Sequence, residues 1–191
     1  MYIGKYRAEK LKAELTDEVL YFCDSYLGKG LYDREMLEEI IICEHHYFYA
    51  IYDNEKMIGV FYFYADRAKK VKMQLTEKVG NISKDTDWVG VCRSIVLHED
   101  YRHLGISGQL LSHFSHFLEE REGVSIIYIL AWIYNEKIRA ANHLEQCGYT
   151  YIEQIKEPWS GVEGLMCPMC GEKRCRCDGI LYGKYLQVKE N

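Results

Sequence analysis

The stretch Tyr101-Arg102-His103-Leu104-Gly105-Ile106-Ser107-Gly108 most narrows what this chain can fold into, because it joins two segments of different periodicity. Before it, Trp88 to Leu97 is a short, largely apolar run, the pattern of a buried strand. After it, Ile106, Leu110, Leu111, Phe114, Phe117 and Leu118 recur at helical spacing until Gly123. Strand, glycine turn and amphipathic helix in that order predict a helix packed on a sheet. The turn that opens the helix leaves its first backbone N–H groups unpaired, and the aligned peptide dipoles add partial positive charge there. The helix mouth is therefore suited to an anion. It has neither Gly-x-x-x-x-Gly-Lys-Ser/Thr nor Gly-x-Gly-x-x-Gly, so it is not a P-loop or a dinucleotide fingerprint.

The flanking patterns predict the remaining order. Ile3 to Leu11 reads as a first strand. Thr16 is placed to cap a helix running to about Leu27, and Asp33 to cap a second one with Met36, Leu37, Ile40 and Ile41 on one face. Tyr47 to Tyr52 and Met57 to Tyr64 flank a polar turn and predict a hairpin. Residues 66–87 are polar and mixed and read as a loop. Ile126 to Ile133 is a second buried-strand run, followed by a helical segment that ends at Gly148, a residue suited to a C′ position with positive φ. Residues 150–157 and 180–186 complete the set as two strands. The expected fold is α/β (α+β) and three-layered, with helices on both faces of a mixed sheet. At 191 residues the chain is expected to form a single domain over 1–191, with a cysteine-rich loop at 163–179 between the last two strands.

The motif of Tyr101, Arg102, Gly105, Gly108, Leu110 and Leu111 resembles the pyrophosphate loop of the GNAT superfamily, the acyl-CoA-dependent N-acetyltransferases. Their signature is Gln/Arg-x-x-Gly-x-Gly/Ala. Ser107 stands where the family normally has Gly or Ala, and it is also small. The second strand–helix unit, ending in Glu145-Gln146-Cys147-Gly148-Tyr149, resembles the family's closing Glu-Lys-x-Gly-Phe, and the likeness spans roughly residues 46–155. Two positions depart from the pattern. Leu144 replaces the Tyr that commonly protonates the departing thiolate, and Asn135 lies two residues earlier than the usual Asn, with Lys137 in its place.

The resemblance implies acetyl-CoA as co-substrate and an acyltransferase reaction on a primary amine of a small molecule or peptide. It implies that the backbone of Ile95, Val96 and Leu97 pairs with the pantetheine arm, with a strand N–H near Val96 polarising the thioester carbonyl. Arg102 and the backbone of His103, Leu104, Gly105, Ile106, Ser107 and Gly108 would hold the pyrophosphate, with Asn135 close by. Tyr134 is the candidate thiolate proton donor. An attacking amine must first lose a proton, but no carboxylate lies between Val91 and Leu97, so the base stays open among Asp87, Glu99 and Glu153. The rival reading is a non-catalytic acyl-CoA-binding or protein-interaction module.

Cys167, Cys170, Cys175 and Cys177 fall within eleven residues as C-x2-C-x4-C-x-C, with Gly171 allowing a tight turn. Four thiolates so close suit one tetrahedral ion, and the reading is a structural zinc with no open coordination position. A disulfide or redox pair is the alternative. The other four cysteines lie dispersed in apolar segments, as buried thiols of a reducing compartment do. With no apolar signal core and no run long enough to span a bilayer, the expected location is the cytoplasm. A net charge of −5 argues against nucleic acid and anionic membrane as partners, and a zinc-ribbon nucleic-acid binder finds basic residues only at 173–176. Monomer and homodimer both stay open. His45, His46, His113 and His116 read as solvated or capping, Tyr47 to Tyr64 as core and cleft lining, and Glu119 to Glu122 as an exposed helix end.

Overall fold

The computed structural model describes residues 1–133 and 141–186, the side chains of Ala141 and Asn142 excepted. Its strands are β1 (Tyr2–Ile3), β2 (Tyr6–Lys10), β3 (His46–Asp53), β4 (Lys56–Arg67), β5 (Trp88–Leu97), β6 (Ile126–Trp132), β7 (Thr150–Ile155) and β8 (Gly179–Tyr185). Its helices are α1 (Thr16–Tyr26), α2 (Arg34–Ile42), α3 (Ala68–Gln74), α4 (Lys78–Ile82), α5 (Ile106–Glu122) and α6 (Ala141–Gln146). The sheet runs β1-β2-β3-β4-β5-β6-β8-β7, antiparallel throughout except for the parallel pair β5 and β6. No described helix is long and apolar enough to cross a membrane.

Alternation along the strands builds two cores. On β4, Val60, Tyr62 and Tyr64 face one layer, where α1 to α4 bury Val19, Leu37, Val71 and Val79. Phe61, Phe63 and Ala65 face the other, against Leu110, Leu111, Phe114 and Leu118 of α5 and Leu144 of α6. The helix–sheet–helix expectation is therefore met. The tyrosines at 47–64 are core, as expected: Phe48 stacks on Tyr62 and Tyr47 on Phe63, with ring centroids 5.2 and 5.0 Å apart.

Several local expectations need correction. Ile3 to Leu11 is two short strands, because Gly4 at φ 59° turns the chain between them. Thr16 does not cap α1 but is its first residue, after a 3-10 turn at Ala13–Leu15, and its hydroxyl reaches back to the Lys12 carbonyl at 3.5 Å. Residues 66–87 are no simple loop. They hold α3 and α4, which bury Ala68, Val71 and Val79 and leave Met73 exposed. Asp33 caps α2 as expected, accepting from the Met36 N–H at 2.7 Å. Glu122 is not part of an exposed helix end: its side chain is 8% exposed and accepts from the Tyr47 hydroxyl, with His45 Nδ1 at 2.8 Å.

The end of β5 is held tightly from the β4 side. Gly59 pairs with Leu97, and a Cβ at Gly59 would lie 2.7 Å from the Val96 carbonyl oxygen and 2.6 Å from Leu97 Cδ2. Gly59→Ala is expected to cost about 2 kcal/mol and to lower the thermal midpoint by about 6 °C. Thermal denaturation checks this; an unchanged midpoint would show that β5 has slack to yield.

Candidate active site

The site begins where two strands part. β5 and β6 pair only at Gly90–Cys92 with Ile127–Ile129. Past that point β5 stays bonded to β4 and β6 to β8, leaving their facing edges without a ladder. A β-bulge marks the fork, because Tyr62 pairs with Ser94 and Phe63 with Cys92, so Arg93 has no opposite number on β4. The polar Arg93-Ser94 pair inside an apolar strand was the signal for it. The His98 N–H donates to the Ile58 carbonyl at 2.7 Å, so alternation turns the N–H and C=O of Val96 toward β4 and those of Ile95 and Leu97 toward the gap. Arg102 Nε donates to the Leu97 carbonyl at 3.1 Å, consistent with that direction. Ile95 and Leu97 thus offer the inward-facing backbone groups, while Val96 belongs to the ladder.

The helix mouth opens at the same, carboxyl end of β5, where ligands of parallel strands bind. Gly105 is the N-cap of α5 with φ 76°, and no side chain among the described residues caps the helix. The Gln109 N–H makes the first intrahelical bond, to the Gly105 carbonyl, which leaves those of Ile106, Ser107 and Gly108 ahead of it unclaimed by the helix. His103 also adopts positive φ, and Leu104 is exposed. A Cβ at Gly105 would meet no described atom within 4 Å, so the N-cap itself faces open space among the described residues. At Gly108 a Cβ would sit 3.1 Å from His143 Cε1 and 3.7 Å from Cys147 Sγ, so glycine allows α6 to close against α5 there. The unclaimed N–H groups and the helix dipole make the mouth partly positive.

On the opposite face of the sheet, at the fork and beside it, lie contacts that sequence reasoning missed. The Tyr32 hydroxyl lies 2.6 Å from Ser94 Oγ, and the Tyr32 ring packs edge-on to Phe48 and Tyr62. Burial pushes the Tyr32 hydroxyl well above its usual range, so it stays a neutral hydrogen-bonding group. His46 stacks on Tyr64 and meets the Tyr62 hydroxyl at 2.7 Å, and burial lowers its pKa. The indole of Trp132, at the end of β6, packs 4.9 Å from Trp159, and its buried Nε1–H has no hydrogen-bond partner among the described residues. An orphaned buried donor at the edge of a gap is a candidate ligand contact. Nothing in the sequence around Tyr32 announces a meeting with a residue 62 positions away.

The four expected cysteines do come together. Their sulfurs lie within 4.8 Å of one another, with Cys167 and Cys177 Sγ 3.7 Å apart, and all are free thiols. Burial pushes the Cys170 thiol up, but N–H groups of Arg176 and Glu172 and the neighbouring thiols outweigh it and draw it down to about 7. The loop packs into the same core as α1 and α2, with Cys167, Cys175 and Cys177 buried.

The acetyltransferase (GNAT) family model matches residues 14–149, well over half of the chain. The chain belongs to the GNAT family. Known GNAT structures share its fold across nearly their whole length. Arabidopsis thaliana NAA60 in complex with acetyl-CoA superposes with a TM-score of 0.72 at 11% identity, over 95% of this chain and 98% of the other. The Escherichia coli ribosomal-protein-S18-alanine N-acetyltransferase gives 0.66 at 14% identity, over 97% of both chains. An acetyl-CoA-bound GNAT acetyltransferase from Elizabethkingia anophelis gives 0.60 at 16% identity, over 96% of this chain and 99% of the other. No curated protein sequence matches detectably.

Within this GNAT frame the remaining candidates separate by position. Asp87 precedes β5 at the end remote from the fork, about 20 Å away along the strand, and accepts from the Lys84 N–H at 2.8 Å. Glu153 on β7 is engaged by the Thr76 hydroxyl and by Lys78 Nζ at 3.3 Å. Glu99 lies in the 3-10 turn between β5 and the helix mouth. Leu144 is buried against the α5-side core. Tyr134 and Asn135 lie outside the described residues.

Proposed function

We propose that this GNAT protein transfers the acetyl group of acetyl-CoA to a primary amine of a peptide or small molecule. The observation that carries the reading is the fork between β5 and β6, with the N–H groups of Ile95 and Leu97 turned inward beside the N-terminus of α5. The inward edge of β5 offers the pantetheine amides a partner strand, and the N–H groups of residues 106–108 offer the diphosphate a cradle. The thioester carbonyl then lies against an inward N–H, which stabilises the oxyanion that forms as the amine attacks. The acceptor enters from the opposite face, past Tyr32, Ser94 and the Trp132 N–H, which has no partner among the described residues. The aliphatic Leu144 gives no proton to the departing thiolate, and the sequence offers Tyr134 for that step. Arabidopsis NAA60 was solved with a bisubstrate analogue and the E. coli relative acetylates an alanine of a ribosomal protein, which puts peptide amino groups first among acceptors.

A structural zinc held by Cys167, Cys170, Cys175 and Cys177 belongs to the same reading. A tetrahedral zinc with Zn–S bonds near 2.3 Å separates its sulfurs by about 3.8 Å, and the Cys167–Cys177 spacing is 3.7 Å. A disulfide would need about 2.05 Å. Eight free cysteines suit a reducing compartment, and we place the protein in the cytoplasm.

Incubation with acetyl-CoA and a panel of peptides and amines, followed by free-thiol release, tests the enzyme. Acceptor-dependent release is expected. Acetyl-CoA binding without release on any acceptor would make it an acyl-CoA-binding module, and no binding at all would sink both readings.

A further inference from the structure

We propose that the metal-loaded cysteine cluster is a clamp on the connection between α1 and α2, and through it sets Tyr32 in the acceptor-side wall. This rests on the metal reading above. The physical contact is made backbone to backbone. The Met166 N–H, next to Cys167, donates to the Lys29 carbonyl at 2.7 Å in an isolated β-bridge between the two loops. Gly28 and Gly30 both have positive φ; a Cβ would lie 2.6 Å from the Met166 carbonyl oxygen at Gly28 and 2.4 Å from the Gly164 carbonyl oxygen at Gly30. Two loops this close leave no room for one to move without the other. Leu165 and Leu27 share the same core cluster, filling the space beside that seam.

Two residues beyond Gly30 stands Tyr32, 3% exposed, with its hydroxyl on Ser94 at the bulge where β5 leaves β6. The path from sulfur to fork therefore runs through Met166, Lys29, Gly30 and Tyr32 to Ser94. The cysteine loop has no strand or helix of its own, so a bound metal is the strongest restraint available to it. Losing the ion frees the loop, uncovers residues 27–33 and releases Tyr32 from Ser94. The coupling is reciprocal: a change that pries residues 27–33 off the loop must weaken the hold on the metal.

The test uses the full chain as purified, stripped with a zinc chelator and then resupplied with zinc. Amide hydrogen exchange at residues 27–33 is expected to rise about tenfold or more on stripping and to return with zinc, while α5 keeps its protection. Gly30→Ala, with every cysteine intact, is expected to bind zinc about tenfold more weakly than wild type in competition with a chromogenic chelator. That second measurement decides the matter even if stripping unfolds the whole chain. Protein that carries no metal and takes up no zinc would overturn the metal reading together with the clamp. Bound zinc whose removal leaves exchange at 27–33 unchanged, or a Gly30→Ala protein that holds zinc as tightly as wild type, would overturn the clamp alone. None of these readouts depends on acetyl transfer.

Discussion

Ser107→Asp is expected to weaken acetyl-CoA binding about a hundredfold while leaving the fold as stable as before or slightly more so. Position 107 is the second residue of α5, among the N–H groups that open the helix. A carboxylate there sits at the positive end of the helix dipole and adds about 0.3–1 kcal/mol of stability. The same carboxylate satisfies the donors that a diphosphate would need and repels its charge. Losing two hydrogen bonds to a charged group, at about 1.5 kcal/mol each, weakens affinity about a hundredfold. Calorimetric titration with acetyl-CoA and thermal denaturation of the same sample read the two halves. The opposite signs matter, because a variant that merely misfolded would lose both. Undiminished binding would show that the coenzyme is not held at this mouth.

Stripping the cysteine cluster is expected to lower the thermal midpoint by about 10 °C. A ligand present at a thousand times its dissociation constant stabilises the folded state by about 4 kcal/mol, and in chains of this size each kcal/mol moves the midpoint by about 2–4 °C. The loss is cooperative because Cys167, Cys175 and Cys177 are buried in the core beneath α1 and α2. Scanning calorimetry with chelator, with zinc restored, and on a Cys175→Ser variant checks it. Cys43→Ser, at an exposed cysteine outside the cluster, is the control and is expected to melt like wild type. A midpoint that survives proven loss of the metal would remove zinc from any structural role.

What was legible in the sequence was what short-range periodicity encodes. The run Trp88 to Leu97, the turn at Gly105 and the stripe from Ile106 to Leu118 declared β5, the mouth and α5 because each is specified by neighbours a few residues apart. The cysteine spacing declared the cluster for the same reason. The β1–β2 hairpin was hidden because one glycine turns a run that otherwise reads as continuous. α3 and α4 were hidden because Ala68, Val71 and Val79 are too sparse to make a stripe. Glu122 reads as a solvated charge until Tyr47 and His45, brought from β3 and the turn before it, close over it. Tyr32 on Ser94 and Lys29 on Met166 are long-range meetings, which local patterns do not encode. The placement of β8 between β6 and β7 is of the same kind, since its own residues pair equally well in name with either neighbour.

That placement has a consequence for biogenesis. Until residues 179–185 have left the ribosome, β6 has no antiparallel neighbour and presents a naked edge to its surroundings. The cysteines emerge just ahead of that strand, so a metal captured during translation would tether the nascent segment before it slots into the sheet. Stalling or premature termination between the two events would leave a template for aggregation rather than a smaller working protein.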